Sequence, residues 1–154
     1  MKQKIEIKNR CTGNVLFDFE IESNSTKKTL AVAIKAGADL SGADLGGAYL
    51  RGADLSGADL SDAYLSGAYL RGKKIKKAAV FTGLYEYVVI PYITEHGDKW
   101  VKMGCYDRKL SDWDDNFWNN NSEFPNDNSL KSNLRLMAFN TAKAWLETQG
   151  DDSI

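Results

Sequence analysis

The chain predicts a mainly β fold with helices, built around a short solenoid. Three observations carry this. A strict five-residue repeat fills residues 38–72. The residues before it alternate like a β-hairpin and then show one helical run. The residues after it hold all four tryptophans, Trp100, Trp113, Trp118 and Trp145, in strand-like and helical stretches. Three segments follow from this: an N-terminal cap at 1–37, the repeat at 38–77 and a small α+β lobe at 78–154.

In the cap, KIEIK at 4–8 places Ile5 and Ile7 on one face of a strand. VLFDFEI at 15–21 alternates Val15, Phe17, Phe19 and Ile21 against Leu16, Asp18 and Glu20. Gly13 and Asn14 lie between these runs, as a hairpin turn asks. The predicted hairpin is 2–9 with 15–22. Ser25 or Thr26 can cap a helix over 27–36 that Gly37 ends. A solenoid needs such a cover over the open end of its core.

The repeat reads ADLSG ADLGG AYLRG ADLSG ADLSD AYLSG AYLRG. Leu recurs at 40, 45, 50, 55, 60, 65 and 70, and Ala two places before each. On an α-helix a step of five turns about 140° net, so the leucines would spiral around every face. On a flat strand an odd step sends successive leucines to opposite faces. A chain that turns once per unit buries them all, with Gly at or near the corner. Lys73–Lys77 keeps Ile75 but loses the Ala, and reads as a further unit. Its lysines read first as a solvated strand edge that discourages pairing, with an anion contact as their other use.

Beyond the repeat, 78–81 and 84–94 read as strands, with Pro91 at an edge or a bulge. Residues 99–105 return as another strand after the turn 95–98. Ser111 with Asp114 resembles a capping box and opens a short helix, on which Trp113, Phe117 and Trp118 share a face. Residues 119–129 form a polar loop. Ser129 caps a long helix to about Gln149, with an apolar stripe at 130, 134, 137, 138, 142, 145 and 146.

The seven units resemble the pentapeptide-repeat family, whose motif is A-(D/N)-L-x-x. That resemblance implies a right-handed quadrilateral β-helix with four units per coil, so about two coils here. Units four apart would stack: Leu40 on Leu60, Leu45 on Leu65, Leu50 on Leu70 and Leu55 on Ile75. Outside, Asp39 would meet Asp59, Tyr49 would meet Tyr69, and Arg51 would meet Arg71. Hairpin, helix, short repeat and α+β tail together are similar to pentapeptide-repeat proteins of tailed bacteriophages and prophages.

Composition narrows the chemistry. The formal net charge is −1, which argues against a general nucleic-acid binder, although charge alternates in sign along the chain. Cys11 and Cys105 have no metal-ligand spacing, and one histidine leaves no Cys/His zinc site. No secretory segment and no apolar run of membrane-spanning length is evident, so the expected place is the cytoplasm. No Walker loop and no dinucleotide fingerprint is present. His96 reads as a turn residue, Cys105 as a buried or half-buried thiol, and Asp112, Asp114 and Asp115 as a helix N-terminal cluster rather than a metal site. No catalytic residue, cofactor or metal is expected.

What remains is a non-catalytic binding protein. The expected contact residues are Tyr49, Arg51, Tyr69 and Arg71, since Tyr and Arg are enriched at binding hot spots. The expected role is that of a phage-encoded inhibitor that engages a host protein, blocking a host enzyme or defence system. Three alternatives stand beside it. One is a DNA mimic that inhibits an enzyme such as DNA gyrase, as some longer members of the family do. Another is a small-molecule or nucleotide binder with a pocket lined by 73–77 and the aromatics at 85, 87 and 92. The last is a homo-oligomeric assembly protein.

Overall fold

The computed structural model describes residues 1–51, 53–55, 58–104, 106–117 and 127–150. Gly52, Gly57, Cys105, Trp118 and most of the expected polar loop lie outside the described residues. The fold is mainly β with some helix, and its regular sheets are antiparallel.

The hairpin forms as β1 (Lys2–Lys8) and β2 (Val15–Glu22). Ile7 pairs with Phe17 and Ile5 with Phe19, so the expected apolar face is real. The cover over it is partial: Ile7 is buried, while Val15 and Ile21 are exposed. Helix α1 (Thr26–Lys35) starts at Ser25, whose side chain accepts from the Lys28 amide. Leu30 and Ala33 of α1 join Ile7 and the repeat leucines in one core.

Within the repeat the chain turns once per unit. The Ala amide of each unit donates to the Leu carbonyl three residues back, from Ala43 to Leu40 through to Ala68 to Leu65. A four-residue turn with positive φ at its third residue is of type II, which favours Gly there. Gly42, Gly47 and Gly67 sit at that position with φ near +70°. In the one unit without Gly, Asp62 takes it at φ 58°. Successive tiers are bonded at a spacing of twenty residues. Asp39 bridges Asp59, Asp44 bridges Tyr64 and Tyr49 bridges Tyr69, all in parallel. The amides of Leu40, Leu45 and Leu50 donate upward to Asp59, Tyr64 and Tyr69. Leu40 to Leu70 are all buried.

The first tier is closed from below by the hairpin end. The Arg10 amide donates to the Gly42 carbonyl, and the Asp44 amide to the Lys8 carbonyl.

The last unit departs from expectation. Among the described residues, 73–77 form no parallel rung with the fourth unit. The chain reverses at Arg71-Gly72 and runs back as β4 (Lys73–Ala78), antiparallel to β3 (Tyr69–Leu70). Arg71 and Gly72 both have positive φ, 49° and 80°. Two such residues make the tight turn whose twist suits a hairpin. Ile75 is still buried in the repeat core. Nor is 73–77 a solvated edge, because β4 lies between β3 and β5.

The sheet continues through β5 (Val89–Thr94), β6 (Lys99–Met103) and β7 (Tyr106–Lys109) in the order β3-β4-β5-β6-β7. Pro91 therefore lies in a central strand, not at an edge. Its carbonyl accepts from Ala79, just past the end of β4, and with no N–H it returns no bond there, between the Ala78–Tyr92 pair and the Phe81–Val89 bridge. Strand β5 is shorter than the 84–94 expected, and 78–81 contributes the end of β4 and one bridge from Phe81 to Val89.

The two faces of this sheet serve different cores. Ile90 and Tyr92 pack with the repeat leucines. Val89, Ile93, Val101 and Met103 pack against Trp113 and helix α3 (Leu130–Thr148). Short α2 (Leu110–Asp112) leads into a π-turn at Trp113–Phe117. Ser111 is not its cap; Lys109 holds that place, without a side-chain bond. Trp113 is buried and donates from Nε1 to the Val101 carbonyl at 2.9 Å. Ser129 caps α3 as expected, accepting from Ser132. The buried stripe is Ser132, Ala138, Phe139, Ala142 and Leu146. Leu130 and Met137 fall outside it and are exposed, because Phe139 rather than Met137 meets Trp113.

A polar centre pins the sheet where it meets the repeat. Asp107 of β7 has a fully buried carboxylate. It accepts from the Tyr92 hydroxyl at 2.8 and 2.9 Å and from Lys73 Nζ at 3.2 Å. Lys73 Nζ also lies 4.0 Å from the centre of the Trp100 ring. Three strands, β4, β5 and β7, are thus tied through one carboxylate.

Two consequences can be measured. Replacing Asp62 by Gly removes a left-handed non-glycine residue. It should raise stability by about 0.5–1 kcal/mol, or Tm by about 1–4 °C, in thermal unfolding. Asp107→Ala leaves Lys73 and the Tyr92 hydroxyl without their acceptor and should cost at least about 2 kcal/mol in urea unfolding. The phenol adds a pH signature. Burial first, then the Asp107 charge and hydrogen bond, hold Tyr92 well above its usual 10.0. The folded chain keeps this proton where the unfolded chain releases it. The stabilising term is therefore whole below about pH 10 and declines above it, by up to about 1.4 kcal/mol per pH unit. Tyr92→Phe should flatten that alkaline fall while lowering stability at neutral pH.

Candidate functional site

The repeat builds its most distinctive surface at the third and seventh units. Their sequence, AYLRG, places an aromatic residue just before the inward Leu and an arginine just after it. Because the two units lie twenty residues apart, the parallel rung at Tyr49 and Tyr69 puts one ring on the other. Their centroids are 4.6 Å apart and their planes differ by 1°. Tyr49, on the first tier, is 71% exposed, and Tyr69 is half-buried above it. The row extends into the sheet, since Tyr69 pairs with Lys74 and the Glu95 amide donates to the Lys74 carbonyl.

The arginines are placed at the corners beside this row. Arg51 is exposed, and its carbonyl accepts from Lys27 Nζ at 2.5 Å, which fastens helix α1 to that corner. Arg71 is exposed too, in the reversal that leads to β4, and its charge acts on Tyr92. The two tyrosines meet directly. The arginines share the side of the repeat, but the tight turn at 71–72 gives Arg71 a different backbone setting.

The acidic side is thinner than a duplex-like rod. Asp39 lies over Asp59, but the next rung is Asp44 over Tyr64. Asp39 is held below the usual carboxylate range by the side chain and then the amide of Ser41, at 2.6 and 2.9 Å. Tyr64 is covered by Arg10, whose guanidinium carbon is 3.1 Å from the ring centre. Its other neighbour is Gly46, where an added Cβ would come within 3.0 Å of the ring. These rungs serve the fold.

Other candidate groups are dispersed. His96 is exposed in the turn after β5, 3.7 Å from Glu95 Oε1. Asp114 pairs with Lys143 at 2.9 Å, while Asp112 and Asp115 are exposed. Cys105 lies outside the described residues. Among the described residues no group of three His, Cys, Asp or Glu side chains is arranged to hold a metal ion, and no helix is long and apolar enough to cross a membrane. The single pocket expected between repeat and lobe is divided. Tyr85 and Tyr87 line one recess, Lys73, Lys74 and Trp100 line another, and Tyr92 is buried and lines neither.

Sequence reasoning missed the Asp107 centre. The alternation of β5 puts Ile90 and Tyr92 on one face, but no spacing links Tyr92 to Asp107 or to Lys73. Only the strand order does.

No curated protein and no solved structure matches the chain. Residues 36–72 match the family model of pentapeptide repeats, in eight copies; the match ends at Gly72, where the chain reverses.

Proposed function

We propose that the chain is a non-catalytic binding protein that engages a protein partner through Tyr49, Arg51, Tyr69 and Arg71. The observation that carries this is the stacked tyrosine pair, which leaves Tyr49 71% exposed on a hydrogen-bonded rung. A ring already ordered by its neighbour loses little freedom on binding. Arginines beside it add charge and donors, the side-chain types that dominate hot spots. In this reading the repeat is two coils of a right-handed quadrilateral β-helix; the twenty-residue spacing of its parallel rungs, four units of five, supports that geometry.

The partner we infer is a host protein, blocked by occupation of its surface by a phage-encoded inhibitor in the bacterial cytoplasm. The likeness in overall arrangement to phage pentapeptide-repeat proteins supports this. The DNA-mimic alternative has one Asp–Asp rung to stand on, which is why we place it second.

Tagged wild-type protein and the variant Tyr49→Ala/Arg51→Ala would be expressed in an enteric bacterium, cross-linked and purified. Both replaced side chains are exposed, so the variant should fold. The expected result is one stoichiometric host protein with wild type, bound at least about thirtyfold more weakly by the variant. Undiminished recovery with the variant would refute the tyrosine face. Inhibition of purified gyrase by wild type, lost on replacing Asp39 and Asp59, would favour the mimic instead.

A further inference from the structure

The segment from Thr82 to Val88 arches over the second tier of the repeat. Thr82 Oγ1 and Ser61 Oγ lie 2.8 Å apart and hold the arch to the tier. Under it is a recess of about 290 Å³, room for about ten water molecules. Its apolar part comes from Ala58 and Val88, both nearly buried. Tyr85 and Tyr87 also line it. Their ring centroids are 5.7 Å apart and their planes meet at 78°, an edge-to-face contact. Tyr87 rests on Gly104, where an added Cβ would come within 3.3 Å of the ring.

The charged groups of this recess are all of one sign. Asp59 and Glu86 line it, and among the described residues no Lys, Arg or His does. The Ser61 hydroxyl and amide donate to the Asp59 carboxylate at 3.0 and 3.4 Å and orient it. Glu86 is paired with Lys131 at 3.1 Å, but both side chains are largely exposed, and such a pair is easily exchanged for another cation.

Two aromatic rings set at an angle, an apolar floor and two carboxylates, one of them in an exchangeable surface pair with Lys131, make a cage for a weakly hydrated cation. A bare metal ion would find two carboxylates and no third ligand of that kind among the described residues. An anion would meet like charge. We infer that this recess binds a small quaternary ammonium compound, with the methylated nitrogen against Tyr85 and Tyr87 and its charge facing Asp59 and Glu86. The site is separate from the tyrosine face and does not rest on the partner proposed above.

The full chain would be titrated with choline and with the neutral isostere 3,3-dimethylbutan-1-ol, followed by calorimetry and by tyrosine ring proton shifts. Choline should bind at least about tenfold more tightly than the alcohol. Nε-trimethyl-lysine should bind where lysine does not. Tyr87→Leu should weaken choline about five- to tenfold, with circular dichroism used to check folding. Glu86→Gln, an exposed change, should weaken it about threefold and reduce its salt dependence. Equal binding of choline and the alcohol, or no response to choline at concentrations of about 50 mM, would overturn the assignment.

Discussion

A stack of two tiers has two open ends and almost no middle, and that constraint shapes the whole chain. The leucines of a long solenoid are covered by neighbouring coils. Here each tier has one neighbour. Its other face must be covered by something that is not a repeat. The end of β1 bonds to Gly42 and Asp44, and α1 supplies Leu30 and Ala33 beneath the first tier. Above the second tier the chain folds β4 back on β3 and lays Ile75, Ile90 and Tyr92 over the leucines. The five-stranded sheet is the upper cap, and its own outer face then requires α3 and Trp113.

This explains why a buried ion pair sits where it does. A sheet that closes an apolar stack must keep one strand order and one register. Asp107, held by Tyr92 and Lys73, joins three strands through one carboxylate. Hydrophobic residues of the same volume would suit stability at least as well, so the gain here is in fixing which strands meet.

Much of this was legible in the residues. The period of five forces a turn per unit, and Leu40–Leu70 are buried as that period demands. Ser25 and Ser129 cap their helices as their positions indicate. The stacking of Tyr49 on Tyr69 follows from the spacing once the family resemblance supplies four units per coil. The end of the repeat was not legible, because YLRG occurs at 49–52 and again at 69–72. After the first, Ala53 continues the repeat and its amide closes the turn on Leu50. After the second, Lys73 replaces the small inward residue and the chain reverses. Four identical letters are thus decided by the fifth. The register of α3 was missed for a similar reason: Met137 and Phe139 both fit a helical stripe, and only the position of Trp113 chooses between them. The expected Tyr and Arg contact residues were found by position in the repeat, whereas the aromatic recess arises from the arch at 82–88, which the sequence presented as part of a strand.

The two proposed surfaces follow from this construction. A row bonded tier to tier displays Tyr49 with little freedom of its own, and Lys27 ties the neighbouring corner to the cap helix. The recess under the arch is different in kind, since it is walled by a loop and lined by two carboxylates. Both depend on the repeat, cap and sheet behaving as one cooperative unit. Native-state hydrogen exchange tests that most directly, by comparing the tier-bonding amides of Leu45, Leu50, Tyr64 and Tyr69 with the Val89 amide bonded to Phe81. If the caps close the stack as described, all five exchange through one global opening with the same denaturant dependence. Exchange of the four repeat amides through a separate opening of lower free energy, with Val89 still protected, would contradict it.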